Sequence, residues 1–248
     1  MKTILITAPL RQDPKIFREY QEGLDRLIIP EGYKVDRYFV VNDCDEVIPE
    51  IRNAEYTVHN TGNEYQKTHN DHIWTMKLME TMGELRNMTI EYALNGGYDY
   101  WFSVDTDLVL DPRTLESLLE ADRDIISEVF WTKAPNGHWW CNGWMYDQCD
   151  ADGHYTIWME HPDVYPVGMT GACMLVKNSV LDAGVDYTRI PCIKNALKGE
   201  DRHFCIRAAC LGFNLWMDTR APAQHLYTES VYREYMKNKR EAEGDVEA

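Results

Sequence analysis

The segment from Gly96 to Pro112, GGYDYWFSVDTDLVLDP, constrains this chain most. Tyr100 to Val104 is dominated by aromatic and β-branched residues, in a run short enough to be a strand buried on both faces. It delivers two carboxylates one residue apart, Asp105 and Asp107, and then continues apolar. Carboxylates so close repel, and the usual remedies are to protonate one or to place a cation between them. A lone Asp-Thr-Asp is more often only a turn at a strand end, so the rest of the chain has to decide.

At 248 residues, with 44% hydrophobic and 12% aromatic residues, the chain is long enough for one well-packed domain and short for two. We expect a single domain over residues 1–230, followed by a charged, flexible tail over 231–248. The balance of 25 basic against 41 acidic residues, a formal charge of −16, repels phosphate backbones and anionic lipid. Nucleic acid is therefore not an expected partner. The opening MKTILITAPLRQDP meets Pro9 and Arg11 too early for the apolar core of a signal peptide. No transmembrane segment is expected, because no stretch nears the roughly 20 apolar residues of a span. Seven cysteines without a CxxC pair suit free thiols in a reducing compartment, and hence a cytoplasmic protein.

Strand-like and helix-like segments alternate. KTILITA reads as a strand. DPKIFREYQEGLDRL reads as a helix with Asp13 as cap and Pro14 in its first turn. YKVDRYFVVND is a second strand, and the spacing of Ile73, Met76, Met79, Leu85, Met88 and Ala93 predicts a helix from about Asn70 to Leu94, ended by Asn95-Gly96-Gly97. The alternation implies an α/β fold with a mostly parallel sheet covered on both faces, whose ligands bind at the carboxyl ends of the strands. Asp43 and the Asp105/Asp107 pair belong to that edge.

Three later segments add weight. VGMTGACMLVKNSVL places Gly168 and Gly171 in a turn before a strand, leaving room for a ligand to approach the backbone. In GEDRHFCIRAACLGF, Glu200 and Asp201 precede a helix carrying Phe204, Ala208 and Leu211 and closed by Gly212; acids there also simply complement a helix dipole. APAQHLY sets His225 after a further strand, where a lone histidine is more often structural than a ligand. Between the acid pair and the glycines, Phe130 to Pro162 is dense in tryptophan, tyrosine and histidine. Those rings suit sugar stacking or a packed antiparallel lid. Cys141, Cys149, His154 and His161 match no standard zinc spacing.

Taken in order, these segments resemble the GT-A glycosyltransferases that use nucleotide-diphospho-sugars, and within them the inverting group: a DxD, a glycine-bearing strand, an Glu-Asp pair opening a helix, and a late histidine. The resemblance spans residues 1 to 228. It implies a Rossmann-like, mostly parallel sheet flanked by helices with a small antiparallel acceptor-side region, Mn²⁺ or Mg²⁺ as cofactor, a nucleoside-diphosphate sugar as donor, and a saccharide or other hydroxyl acceptor. By the same resemblance Ala8, Pro9 and Arg11 line the nucleotide pocket and Asp43 contacts the base. Asp105 faces the ribose, or the metal through water. Asp107 and His225 ligate the metal. Arg86 sits near the sugar or phosphates, or is an exposed helical arginine. Asp201 is the catalytic base with Glu200 in support. APLRQDP departs from the first-strand turn of many relatives.

The chemistry needs such groups. Displacing a nucleoside diphosphate from an anomeric carbon develops charge that a divalent ion stabilises, and a neutral hydroxyl attacks only if a carboxylate takes its proton. A base opposite the leaving group gives inversion. At a helix N-terminus Asp201 is expected to be held ionised. A retaining transferase, an aspartyl-phosphate phosphohydrolase and a non-catalytic carbohydrate-binding protein are the alternatives. The second normally carries its DxD after the first strand, and the third has no need of Glu200-Asp201. A sugar-nucleotide pyrophosphorylase would carry glycines after the first strand, which TAPLRQDP lacks.

Overall fold

The computed structural model describes residues 1–65, 74–133, 137–145, 153–193 and 199–244. The chain begins β1 (Lys2–Leu10), α1 (Pro14–Asp25), β2 (Tyr33–Val41), a 3-10 turn (Asp45–Glu50), β3 (Glu55–Val58), α2 (Met76–Gly96) and β4 (Tyr100–Val104). It continues through β5 (Leu108–Val109), α3 (Thr114–Glu120), β6 (Ile125–Lys133), β7 (Trp139–Cys141), β8 (Gly143–Trp144), α4 (His154–Glu160), β9 (Val164–Val167) and β10 (Met169–Thr170). The last elements are β11 (Cys173–Lys177), α5 (Asn178–Asp182), α6 (Asp201–Cys210), β12 (Leu215–His225) and α7 (Glu229–Glu243).

The sheet runs β3-β2-β1-β4-β11-β6-β12-β5, with β7 on β6 and β9 on β12. β3, β2, β1 and β4 are parallel, as are β6 and β12, while β11 lies antiparallel between β4 and β6. β8 and β10 form a separate antiparallel pair. The apolar character of β1 and β4 follows from burial on both faces. Ile4, Ile6 and Phe102 pack with Phe17 and Tyr20 of α1. Leu5 and Trp101 pack on the opposite face with Leu85 of α2 and Phe204 of α6.

Local signals hold where they were strongest. Asp13 caps α1 by accepting from the Lys15 N–H, Pro14 opens it, and Gly97, at φ 66°, closes α2. Four readings are corrected. β1 does not end at Ala8: Ala8 and Pro9 pair with Phe39 and Val40 of β2, so both are strand rather than loop. Pro9 is tolerated because β4 pairs with β1 only as far as Thr7, so the missing N–H falls beyond the reach of that neighbour. The long helix starts at Met76, where Thr75 accepts from Leu78 N–H; Asn70 to Ile73 lie outside the described residues. α6 ends at Cys210, so Leu211 is its C-cap and not a residue the helix carries, and it is 48% exposed. The charged C-terminal stretch is helical through Glu243 and is tied to α1, where Lys239 meets Glu19 and Glu22 at 2.7 and 2.6 Å. No described helix is long and apolar enough to cross a membrane.

Candidate active site

β4 ends at the carboxyl edge, where the Asp105 N–H donates to Ala172 O at 2.7 Å. Ala172 adopts φ 67°, an uncommon conformation for a residue with a Cβ, so the turn before β11 is held under strain against the acid pair. Two residues on, the Leu226 N–H donates to Asp107 O, and β5 pairs Leu108 with His225 of β12. This crossing sets His225 Nε2 3.5 Å from Asp107 Oδ2. Behind it, Thr132 Oγ1 lies 2.7 Å from His225 Nδ1, and the Phe130 ring packs at 4.5 Å. The hydrogen bond shared by Thr132 Oγ1 and Nδ1 fixes the ring so that Nε2 faces Asp107.

Arg86 is the buried centre of the site and not an exposed helical arginine; it is 2% exposed. Its Nη2 donates to both oxygens of Asp105 at 2.9 and 3.2 Å, Nη1 donates to Ser103 Oγ, and Nε donates to Glu200 Oε1 at 3.2 Å. β4 positions the helix that carries it: the Trp101 indole N–H donates to Thr89 Oγ1, whose hydroxyl donates to Arg86 O. Burial pushes the Asp105 carboxyl up to about 6, Arg86 pulls it down, and Asp107 adds repulsion.

Glu200 stands at the N-cap of α6 with its side chain committed to Arg86, and Asp201 opens the helix. Gly171 makes room for Asp201 instead of an external ligand. A Cβ at Gly171 would lie 2.3 Å from Asp201 Cγ, a distance no real contact allows. Asp201 Oδ1 is buried and has no hydrogen-bond partner among the described residues. The expectation that the helix N-terminus keeps Asp201 ionised is reversed. Burial pushes its carboxyl up to about 8, repulsion from Glu200 adds to this, and Arg86 only partly offsets it.

On the β1–β2 side, Asp43, at φ 48°, accepts from the Thr61 and Gly62 N–H groups and the Thr61 hydroxyl. Its carboxyl is held below the usual range: burial opposes ionisation, and the Gly62 and Thr61 hydrogen bonds and Arg11 outweigh it. Arg11 lies 3.6 Å from Asp43, donates to Asn63 O, and stands 5.5 Å from the Tyr65 ring centroid. The Tyr65 hydroxyl is pushed up by burial and by the charge of Asp107. Ala8 is fully buried in the core and Pro9 is buried beside it, so Arg11 alone of that trio presents a polar group here.

The sequence reading placed Asp43 and the Asp105/Asp107 pair at this edge and assigned His225, Glu200 and Asp201 roles by resemblance; the structure sets Arg86 between Asp105 and Glu200 and His225 beside Asp107, and the sequence reading missed Tyr65, Ser103, Thr132 and the service Gly171 performs. Nothing in the sequence around Tyr65 or Thr132 marks them. Asp107 Oδ2 and His225 Nε2 stand 3.5 Å apart, a separation that one divalent cation at about 2.1 Å from each would fit. Among the described residues no group of three or more His, Cys, Asp or Glu side chains could hold a metal by itself, and Cys149 lies outside them. Such ions commonly take few protein ligands and complete their shell from phosphate oxygens and water.

No family model matches this chain, and no curated protein matches it. Solved structures do. A mannosyltransferase, PcManGT from Pyrobaculum calidifontis, in complex with GDP-Man and Mn²⁺, superposes with TM-score 0.56 at 12% identity, over 94% of this chain and 59% of that one. The fold is of the GT-A type. S. aureus TarS 1–349 in complex with UDP-GlcNAc gives TM-score 0.53 at 13% identity, covering 90% of this chain and 57% of its own. CMP:2-keto-3-deoxy-manno-octonic acid synthetase complexed with CTP gives 0.54 at 10%, over 98% and 100%. This chain thus spans under two thirds of the two glycosyltransferase chains. The mostly parallel sheet with its helices and small antiparallel pair is common ground; at these identities the likeness is one of fold.

Proposed function

We propose that this protein is a metal-dependent glycosyltransferase that moves a sugar from a nucleoside-diphosphate sugar to an acceptor hydroxyl with inversion. The observation that carries the reading is the pairing of His225 with Asp107 beside the Asp105–Arg86–Glu200 bridge, with Asp201 next in the chain. It lies along the edge where α/β sheets bind ligands. The solved neighbours in complex with GDP-Man and Mn²⁺ or with UDP-GlcNAc support the same class.

In this reading the nucleotide lies over the ends of β1 and β2, with Arg11, the Asp43-ordered turn and Tyr65 around it. Asp107 and His225 would hold Mn²⁺ or Mg²⁺, which supplies Lewis-acid stabilisation of the departing diphosphate. Thr132 fixes the His225 ring. Arg86 keeps Asp105 and Glu200 in place and leaves Asp201 with an unpartnered oxygen. Asp201 accepts the acceptor hydroxyl's proton as the C–O bond forms on the face opposite the leaving group. A carboxyl with an elevated pKa is a stronger base once ionised, which suits a weakly acidic hydroxyl. TAPLRQDP, at the end of β1, lacks the glycines that a sugar-nucleotide pyrophosphorylase would carry there, so the CTP-using neighbour does not redirect the reading.

A thermal-shift screen of nucleoside diphosphates with and without Mn²⁺ tests it. A ligand at about 100 times its Kd adds about 2.7 kcal/mol of stability. One diphosphate should raise the Tm only with Mn²⁺ present; no response to any of them in either condition removes the nucleotide site.

A further inference from the structure

β6 pairs with β11 as far as Ser127 and with β7 from Trp131 onward. Asn142, the buried residue that follows β7, serves the interval with its side chain. Its Oδ1 accepts the Phe130 N–H at 3.1 Å, and its Nδ2 donates to Glu128 O at 2.9 Å and to Gly171 O at 3.0 Å. An amide suits this place because it gives two N–H groups and accepts one. A carboxylate of the same shape would turn acceptor atoms toward two carbonyl oxygens.

The bond to Gly171 bears on the site. β8 and β10 set Gly143 opposite Thr170, so the side chain of the residue before Gly143 reaches the residue after Thr170. The Cys173 N–H donates to Gly171 O at 2.8 Å, closing a three-residue turn with Ala172 at φ 67° in its middle. Turns of that form are rare and strained, and they persist where the surroundings hold them. The Asp105 N–H holds this one by donating to Ala172 O at 2.7 Å, and Asn142 holds it by donating to Gly171 O. Asp201 lies directly against the turn: a Cβ on Gly171 would stand 2.3 Å from its Cγ.

We infer that Asn142 is a positioning residue, which seats the Asp201 carboxyl by tying the turn from Gly171 to Cys173 onto β6. The inference rests on the transferase reading and adds to it a residue that acts on the proposed base through Gly171. Fixing the turn from both sides keeps a reacting group in one place, where a displacement of about 1 Å costs up to about 10²-fold in rate.

The test uses the whole chain and two readings. Asn142→Asp keeps the shape and loses both donated hydrogen bonds; Asn142→Ala leaves room for water at the same groups and serves if the Asp variant does not fold. Native-state hydrogen exchange, followed by ¹⁵N NMR, should show the Cys173 and Asp105 amides losing protection by about tenfold or more while the β1 and β2 amides keep theirs. A role confined to β6 and β7 would leave Cys173 and Asp105 as they are. The transfer rate should fall about tenfold or more, but the same substitution in an Asp201→Asn background should change the residual rate by less than about twofold, because its effect runs through that carboxylate. Unchanged protection at Cys173 and Asp105, or equal rate losses in the two backgrounds, would overturn the inference. Protection lost in a protein whose unmodified form transfers no sugar leaves the hold on the turn standing and sinks the transferase reading; transfer with both readings unmoved does the opposite.

Discussion

Arg86 grips Asp105 by both carboxylate oxygens, at 2.9 and 3.2 Å, from a side chain only 3% exposed. One buried guanidinium therefore holds the acid that ends β4 and, through Glu200, the start of the helix that carries Asp201. Removing one partner of a buried, hydrogen-bonded pair leaves the others uncompensated. Arg86→Met should cost on the order of 3–5 kcal/mol of stability. Arg86→Lys should recover only part of it, since an ammonium cannot span three acceptor groups as a planar fork does. Chemical denaturation of the two variants checks this, and a Lys variant as stable as the parent would show that the fork is unimportant.

Asp201 should be a liability to the fold. Burial and repulsion from Glu200 push its folded-state carboxyl up to about 8, against about 4 in the unfolded chain. Below pH 4 both states are protonated and the penalty is absent. Between pH 4 and 8 the unfolded chain releases a proton that the folded chain keeps, so the penalty grows, and above 8 it is constant. Asp201→Asn should therefore match the parent's stability near pH 4 and exceed it at pH 8, by on the order of 1–3 kcal/mol. Melting curves across that range decide; an Asn variant less stable at pH 8 would show the carboxylate to be favourably held.

The strand run before Asp105, the cap at Asp13 and the glycine stop after α2 were legible because each is a local rule about backbone or burial. What Arg86 does was not. Its partners Asp105 and Glu200 stand 19 and 114 positions away, so the sequence left it either near the phosphates or on the surface. Gly171 was read as space for a ligand because the sequence gives no sign that Asp201 folds onto it. The sign of the Asp201 shift was missed for a related reason. A helix N-terminus is visible in the sequence, whereas burial beside Glu200 is a property of packing and outweighs it.

Gly171→Ala probes the fit of the proposed base. The new Cβ would displace the Asp201 carboxyl, and a shift of about 1 Å in a reacting group costs up to about 10²-fold in rate. Transfer should fall by that order while donor affinity, measured by calorimetry, changes by less than a few-fold. Equal losses in both would mean that the turn before β11 has rearranged as a whole.

Thr132 serves His225 from behind. Thr132→Val keeps the shape and removes the hydroxyl that sits 2.7 Å from Nδ1. If His225 ligates the cation, loss of this support should weaken Mn²⁺-dependent nucleotide binding by about 10- to 100-fold, with recovery at higher Mn²⁺. An unaltered Mn²⁺ titration would make the Thr132–His225 contact purely structural.

The most direct test is turnover. The protein is incubated with a panel of sugar nucleotides, Mn²⁺ and saccharide acceptors, and NMR reads both the product and its anomeric configuration. The account predicts a new glycosidic bond of configuration opposite to the donor's. It further predicts that Asp107→Ala abolishes Mn²⁺-supported donor binding and that Asp201→Asn, which keeps the shape and loses the basicity, slows transfer about 10²-fold or more. A product of retained configuration, or an Asp201→Asn variant that transfers at the parent rate, contradicts it.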